Sequence, residues 1–229
     1  MGTDRNNIVD VLYAGFPTRL PDRLWADYFN CLPDDLGKKT LKYRRWQDQY
    51  ASLFGKLLLI KGLQKYSLGK ETLKQLQYTS HGRPFIRQNI DFNITHSGRF
   101  VLCAIGMNMK IGVDIEEVKP IDFAHVDMTM SKEQWDEINA AEDTLSKFYD
   151  YWTIKESIIK ADGRGVTIPL KALTWKEGGS TYEDSKWHLQ SLSIDDGYAA
   201  HMATNLSRLE VGMEKIDFYN DRCRTFFRR

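Results

Sequence analysis

The chain has 229 residues, 42 % of them hydrophobic, with 32 Lys and Arg against 31 Asp and Glu for a formal charge of +1. That length buries a full core and is long for one compact domain, while the balanced charge offers no basic excess for nucleic acid. The longest apolar run, Leu57 to Ile60, is too short to cross a bilayer, and the polar start, Met1 to Asn7, has no signal core. Cys31, Cys103 and Cys223 lack any CxxC or Cys/His spacing and read as reduced thiols, so a cytoplasmic protein with no membrane and no nucleic-acid partner is expected.

Ile8 to Tyr13 reads as an opening strand, closed by the turn at Gly15-Phe16-Pro17. Pro21 to Leu32 predicts a helix with Leu24, Trp25, Tyr28, Phe29 and Leu32 on one face. A basic segment leads into an apolar helix over residues 46–63, through Tyr50, Leu53, Phe54, Leu57 and Leu58. By spacing alone, Lys38, Lys39, Lys42, Arg44 and Arg45 are a solvated helix face. Residues 68–76 are ambiguous, a short helix being one reading. Gln77 to His81 is strand-like before the turn His81-Gly82-Arg83-Pro84-Phe85, by itself an ordinary surface turn with a cationic tip. Phe92 to Ile105 predicts two strands about Ser97-Gly98. Thr95-His96-Ser97-Gly98 gathers donors at a strand end, which suits phosphate oxygens, although a single His there is most often structural.

After a turn at Gly106-Met107-Asn108, Ile111, Val113 and Ile115 alternate with Gly112, Asp114 and Glu116. This period of two predicts a strand with Asp114 and Glu116 on one face and Glu117 on the other. Lys119 to Phe123 is a loop, and Ser131 to Gln134 reads as the start of a helix through Trp135 and Ile138. A long helix is predicted from about Leu145 to Ala161, with Gly163 just past its end. On it Trp152, Glu156 and Lys160 form one ridge, while Lys155 points about 100° away and is the weaker candidate for a phosphate. Alternating acids on a strand often mark a solvated face, and Glu-Lys four apart is a common surface pair. The apolar neighbours on both elements argue instead that they are too buried for idle charge. Two carboxylates on a strand face and one on a helix suit a hard cation such as magnesium, which keeps several waters and favours substrate phosphates. Val166 to Leu170 and Leu173 to Trp175 follow, then a turn over Glu177 to Ser180. A hairpin is predicted from Trp187 to Ser193 and Tyr198 to Thr204, and the basic tail, Arg222 to Arg229, reads as a frayed or packed terminus.

The pattern Gly112-Val-Asp-Ile-Glu116, followed by Trp152-Thr-Ile-Lys-Glu-Ser-Ile-Ile-Lys-Ala161, resembles the 4′-phosphopantetheinyl transferases, specifically the larger surfactin-type branch. The resemblance is strongest over residues 79–175. It implies an α+β fold of two similar lobes related by a pseudo-two-fold axis, each a small, mainly antiparallel sheet packed with a long helix. Residues 1–108 would bind coenzyme A and residues 109–229 would carry the metal and catalytic groups. The implied reaction is magnesium-dependent transfer of 4′-phosphopantetheine from coenzyme A to a serine of an apo acyl or peptidyl carrier protein, with release of adenosine 3′,5′-bisphosphate.

Carried over residue by residue, Asp114, Glu116 and Glu156 would hold magnesium, or manganese in its place, and Glu156 and Lys160 would act in catalysis. Lys39, Lys42 and Ser52 would grip the 3′-phosphate, Arg83 and Pro84 would lie by the adenine and phosphates, and Thr95 and His96 would contact the phosphates. One member of the family has a His-Arg pair just before the hydroxyl residue, where this chain has Tyr50-Ala51. The branch implies a monomer, with carrier docking near Phe123 to Trp135. Two rivals stand beside this reading: a non-catalytic module binding coenzyme A or carrier protein, and a magnesium-dependent pyrophosphate hydrolase. The absence of Walker A, HExxH and GxGxxG patterns removes nucleotide kinases, zincins and common dinucleotide enzymes.

Overall fold

A computed structural model describes residues 5–176 and 179–220 of the chain. It divides into two compact units, one built from residues up to Asn108 with those from Leu209 onward, the other from Met109–Arg208.

The first unit opens with β1 (Ile8–Gly15), followed by helices α1 (Asp22–Phe29), α2 (Asp34–Leu41) and α3 (Trp46–Gln64). Pro21 and Pro33 stand immediately before α1 and α2, where a fixed φ and a missing N–H suit a helix start. The basic segment is thus largely helical, with Lys38 and Lys39 in the last turn of α2, where cations complement the helix dipole. Helix α3 is apolar almost all round because it lies between the sheet and the two shorter helices. A 3-10 turn at Lys70–Gln75 leads to a small ribbon of β2 (Gln77–Tyr78) and β3 (Pro84–Phe85). Strands β4 (Ile90–Ser97) and β5 (Phe100–Met107) then form an antiparallel hairpin across Gly98, whose φ is +52°.

The second unit starts with β6 (Ile111–Glu117) and continues to α4 (Lys132–Asn139) and α5 (Thr144–Asp162). Ser131 and Gln134 form a reciprocal capping box on α4, and Asp143 caps α5. Gly163, with φ of +88°, ends α5 in the left-handed conformation that glycine adopts without strain. Strands β7 (Trp175–Lys176), β8 (Gly179–Tyr182), β9 (Ser185–Ser191) and β10 (Tyr198–Thr204) complete an antiparallel sheet of order β6-β10-β9-β8-β7. Helix α5 packs across β6 and β10, the latter paired with β9 as the predicted hairpin. The turn predicted over 177–180 is corrected in part: Gly179 and Ser180 are strand residues paired with His188 and Trp187, while residues 177 and 178 lie outside the described residues.

The last strand, β11 (Glu210–Lys215), does not stay with the second unit. It pairs parallel with β1, giving a first-unit sheet of order β11-β1-β5-β4. The expected lobe of residues 109–229 is therefore corrected at its end. Glu-Val-Gly-Met-Glu-Lys is mostly exposed at a sheet edge, so it has little apolar alternation to announce a strand. Backbone bonding and the pairing of Glu214 with Lys61 of α3 and with Lys65 just past its end hold it there. The tail Arg222 to Arg229 lies outside the described residues. No helix among the described residues is long and apolar enough to cross a membrane.

Candidate active site

The face of β6 that carries Gly112, Asp114 and Glu116 meets α5. A Cβ on Gly112 would lie 1.9 Å from the Ser157 carbonyl oxygen and 2.3 Å from the Ala161 amide nitrogen, so only glycine lets the helix come this close. The approach sets Glu156 and Lys160 beside the strand carboxylates. Lys160 Nζ lies 2.5 Å from Asp114 Oδ1, and the Asp114 side chain is only 4 % exposed. Burial first, and then the charge of Asp114, raises the pKa of Glu156; Lys160 opposes this and Glu116 adds to it. Trp152, Glu156 and Lys160 are the half-exposed ridge of a helix stretch whose other residues from Tyr151 to Ile159 are buried.

Among the described residues, no three carboxylate, imidazole or thiol groups already stand as a metal cluster. Asp114 instead has the Lys160 ammonium as its cation. The donor set is nonetheless all carboxylate oxygen, the chemistry a hard divalent ion takes, and Asp114 and Glu116 both raise the cost of charging Glu156.

Two neighbours hold α5 in place. His201 stands opposite Asp114 across β10 and β6, with Nδ1 2.8 Å from Thr153 Oγ1. Because the Thr153 hydroxyl donates to the Tyr149 carbonyl, the imidazole Nδ1–H is the donor of that pair. Burial pushes the pKa of His201 down to about 4, which keeps it neutral. Lys155 is wholly buried and donates to the Thr129 and Leu170 carbonyls and to Gln134 Oε1, at 2.9, 2.7 and 2.7 Å. It thus fastens the turn at Asp127–Thr129, helix α4 and the turn at Leu170–Ala172 to α5, and all three of its protons are used.

In the first unit, a groove of about 210 Å³ is lined by Ser52 and Lys56 of α3, by Tyr78 and Pro84, and by Ile94 and His96 of β4. Lys39 stands over the Tyr78 ring, 4.8 Å from its centroid. Lys42 is exposed just past α2 and does not line the groove. Arg83 is paired with Asp91 at 2.7 Å. Thr95 and His96 are neighbours on a strand and so face opposite ways: His96 reaches the groove, and Thr95 is buried.

Residues 110–203 match the model of the 4′-phosphopantetheinyl transferase superfamily, and residues 21–108 match that of the 4′-phosphopantetheinyl transferase N-terminal region. The chain is 33 % identical to the 4′-phosphopantetheinyl transferase gsp of Aneurinibacillus migulanus over 170 residues, covering 71 % of this chain and 70 % of that protein. The chain belongs to the 4′-phosphopantetheinyl transferase superfamily. It is also 30 % identical to the transferase Sfp of Bacillus subtilis (strain 168), over 70 % of this chain and 76 % of Sfp. A mouse L-aminoadipate-semialdehyde dehydrogenase-phosphopantetheinyl transferase is 25 % identical over 81 % of this chain and 71 % of its own length.

As a phosphopantetheinyl transferase, the chain has two separate clusters. Asp114, Glu116, Glu156 and Lys160 come together in the second unit, while Ser52, Pro84 and His96 share the groove of the first with Lys39 beside it. Sequence reasoning missed Lys56, His201 and the packing role of Gly112. Lys56 had a visible signal, a charge one turn after Ser52 inside the apolar run Leu53 to Ile60. His201 had none, since its role depends on strand pairing.

Proposed function

We propose that this transferase takes 4′-phosphopantetheine from coenzyme A and attaches it to a serine hydroxyl of an apo acyl or peptidyl carrier protein, with magnesium held by Asp114, Glu116 and Glu156. One observation carries the reading: three carboxylates and a lysine converge where α5 crosses β6. The ion, when bound there, would supply charge neutralisation and polarisation of the coenzyme A pyrophosphate. The Glu156 carboxylate, made less basic by the ion it would hold, would receive the serine Oγ proton through a water rather than directly. Lys160 Nζ, one turn further on, would stabilise or protonate the phosphate oxygen of the departing adenosine 3′,5′-bisphosphate.

Ser52 and Lys39 would take the 3′-phosphate, with Lys42 reaching it from outside the groove, Arg83 and Pro84 the adenine end, and His96 the remaining phosphates. Thr95, buried on the other face of β4, would join them only through a change at that strand end. For Arg83 this means exchanging Asp91 for a substrate oxygen. Carrier proteins present acidic helices. The surface lined by Phe123, Met130 and Trp135, with Lys132 and Lys171 beside them, offers apolar area and positive charge for such a helix. On this reading the chain works as a monomer in the cytoplasm.

The test is intact mass of an apo carrier protein after incubation with coenzyme A, magnesium and this chain, beside Glu156→Ala. The expected result is the mass of one phosphopantetheinyl arm, added by wild type alone. No gain on fatty-acid, polyketide or peptide carriers, with coenzyme A still bound, would favour a binding module instead.

A further inference from the structure

Lys56 is a cation placed inside the most apolar helix of the first unit. Its ammonium donates to Ser52 Oγ at 2.6 Å, to the Ser52 carbonyl at 2.9 Å and to Thr40 Oγ1 at 3.3 Å, so every partner is a neutral oxygen. The two hydroxyls also meet each other, at 3.0 Å. Burial first, and then the like charge of Lys39, pushes the pKa of Lys56 down to about 8. Asp48 of its own helix lines the same groove without forming an ion pair with it, and His96 faces the groove from β4. A half-buried ammonium beside a second cation, with hydroxyls but no carboxylate as partners, gains little for folding alone. An entering anion would supply the missing partner. It would meet the Lys56 ammonium and the Ser52 hydroxyl, both of which line the groove, with Lys39 near, while Thr40 stands wholly buried behind Ser52 with its hydroxyl on the Leu36 carbonyl.

We propose that Lys56 is a binding residue for the phosphomonoester of the coenzyme A substrate, received against the Ser52 hydroxyl. This rests on coenzyme A being the donor. It names a contact outside the residues taken from the family pattern. The dianion suits the place better than the pyrophosphate does, because the groove belongs to the same unit as Ser52 and Lys39 and its walls, Tyr78 and Pro84, are flat and largely apolar.

The test measures dissociation constants by calorimetry for coenzyme A and for 3′-dephospho-coenzyme A, with magnesium, on wild type, Lys56→Met, Lys56→Gln and Lys56→Arg. Wild type is expected to prefer coenzyme A. Lys56→Met and Lys56→Gln are expected to weaken coenzyme A by about tenfold to a hundredfold, the worth of a charge-assisted phosphate contact, and to leave 3′-dephospho-coenzyme A within about twofold. Lys56→Arg should keep part of the preference. Met matches the length of the Lys stem and removes a half-buried charge beside Lys39, so its melting temperature should not fall; Gln keeps the polar end if Met does not fold. Equal weakening of both ligands would make Lys56 a structural tie between α2 and α3 and overturn the proposal. Unchanged binding of both would overturn it as well. A wild type that binds both ligands equally sinks this inference while leaving the transferase reading intact. A wild type that binds neither removes coenzyme A as the donor and this inference with it.

Discussion

Gly112 of β6 and Ser157 of α5 meet backbone to backbone: a methyl group on Gly112 would sit 1.9 Å from the Ser157 carbonyl oxygen. Both partners are backbone, so no rotamer change relieves the clash and α5 must move away from β6. Gly112→Ala is expected to cost about 3 kcal/mol or more, at the upper end for overpacking, and to lose transfer activity because Glu156 and Lys160 move with the helix. Gly69 provides the control. Its φ is −106° and nothing lies within 4 Å of an added Cβ, so Gly69→Ala should be neutral or slightly stabilising. Chemical denaturation with a parallel activity assay checks both; a stable, active Gly112→Ala would refute the close packing.

The Asp114–Lys160 pair leads to a metal-dependent expectation. With Lys160→Met, the nearly buried Asp114 carboxylate keeps two acidic neighbours and loses its ammonium. The variant should unfold about 3 kcal/mol more easily in the presence of a chelator. Magnesium should then return more stability to Lys160→Met than it adds to wild type, since binding to the native state stabilises in proportion to occupancy. Scanning calorimetry with and without magnesium measures this. Glu156→Gln should respond to magnesium less than either, and an equal response in all three would mean that these carboxylates are not the metal ligands.

What the sequence made legible follows from period and burial. Alternation in Ile111 to Glu117 and the four-residue spacing of Trp152, Glu156 and Lys160 are local patterns, and both elements appear where those patterns place them. The capping box at Ser131 was readable for the same reason. Strand β11 was not: its side chains are mostly exposed, and what defines it is a backbone ladder to a strand just over two hundred residues earlier, between Ile8 and Glu210. Lys155 was hidden in a different way. Its sequence spacing showed only that it pointed away from Glu156, while its partners, Thr129, Gln134 and Leu170, come from three segments that only the fold gathers.

Lys155 should therefore behave as a structural residue. Lys155→Met leaves two carbonyls and the Gln134 amide oxygen short of a buried donor, a loss expected to reach about 3 kcal/mol. Hydrogen exchange should rise in α4 and in the turns at Asp127–Thr129 and Leu170–Ala172 before it rises in the sheet. The KM for coenzyme A should stay near the wild-type value in whatever fraction remains folded. A stable variant with a raised KM would instead assign Lys155 to the substrate phosphates.

The attachment of β11 carries a pH signature. Burial raises the pKa of Glu214, but the hydrogen bond from Lys65 and the charges of Lys61 and Lys65 outweigh it and leave the carboxyl below its usual value of 4.5. A depressed carboxylate pKa gives stability that is complete above the unfolded value and is lost as the pH falls through the folded one. Glu214 is 40 % exposed at its side chain, so solvent screening keeps the contribution to about 0.5 kcal/mol. Glu214→Gln should be less stable than wild type by that amount at neutral pH, and the two should converge once the pH is well below 4.5. Urea titrations at several pH values read the difference, and a Lys65→Met partner in a double-mutant cycle separates this pair from the bond between Lys65 and Asp10. A difference that persists in acid would show that the Gln substitution acts on packing at the sheet edge, and that the ion pair is not what ties β11 to α3.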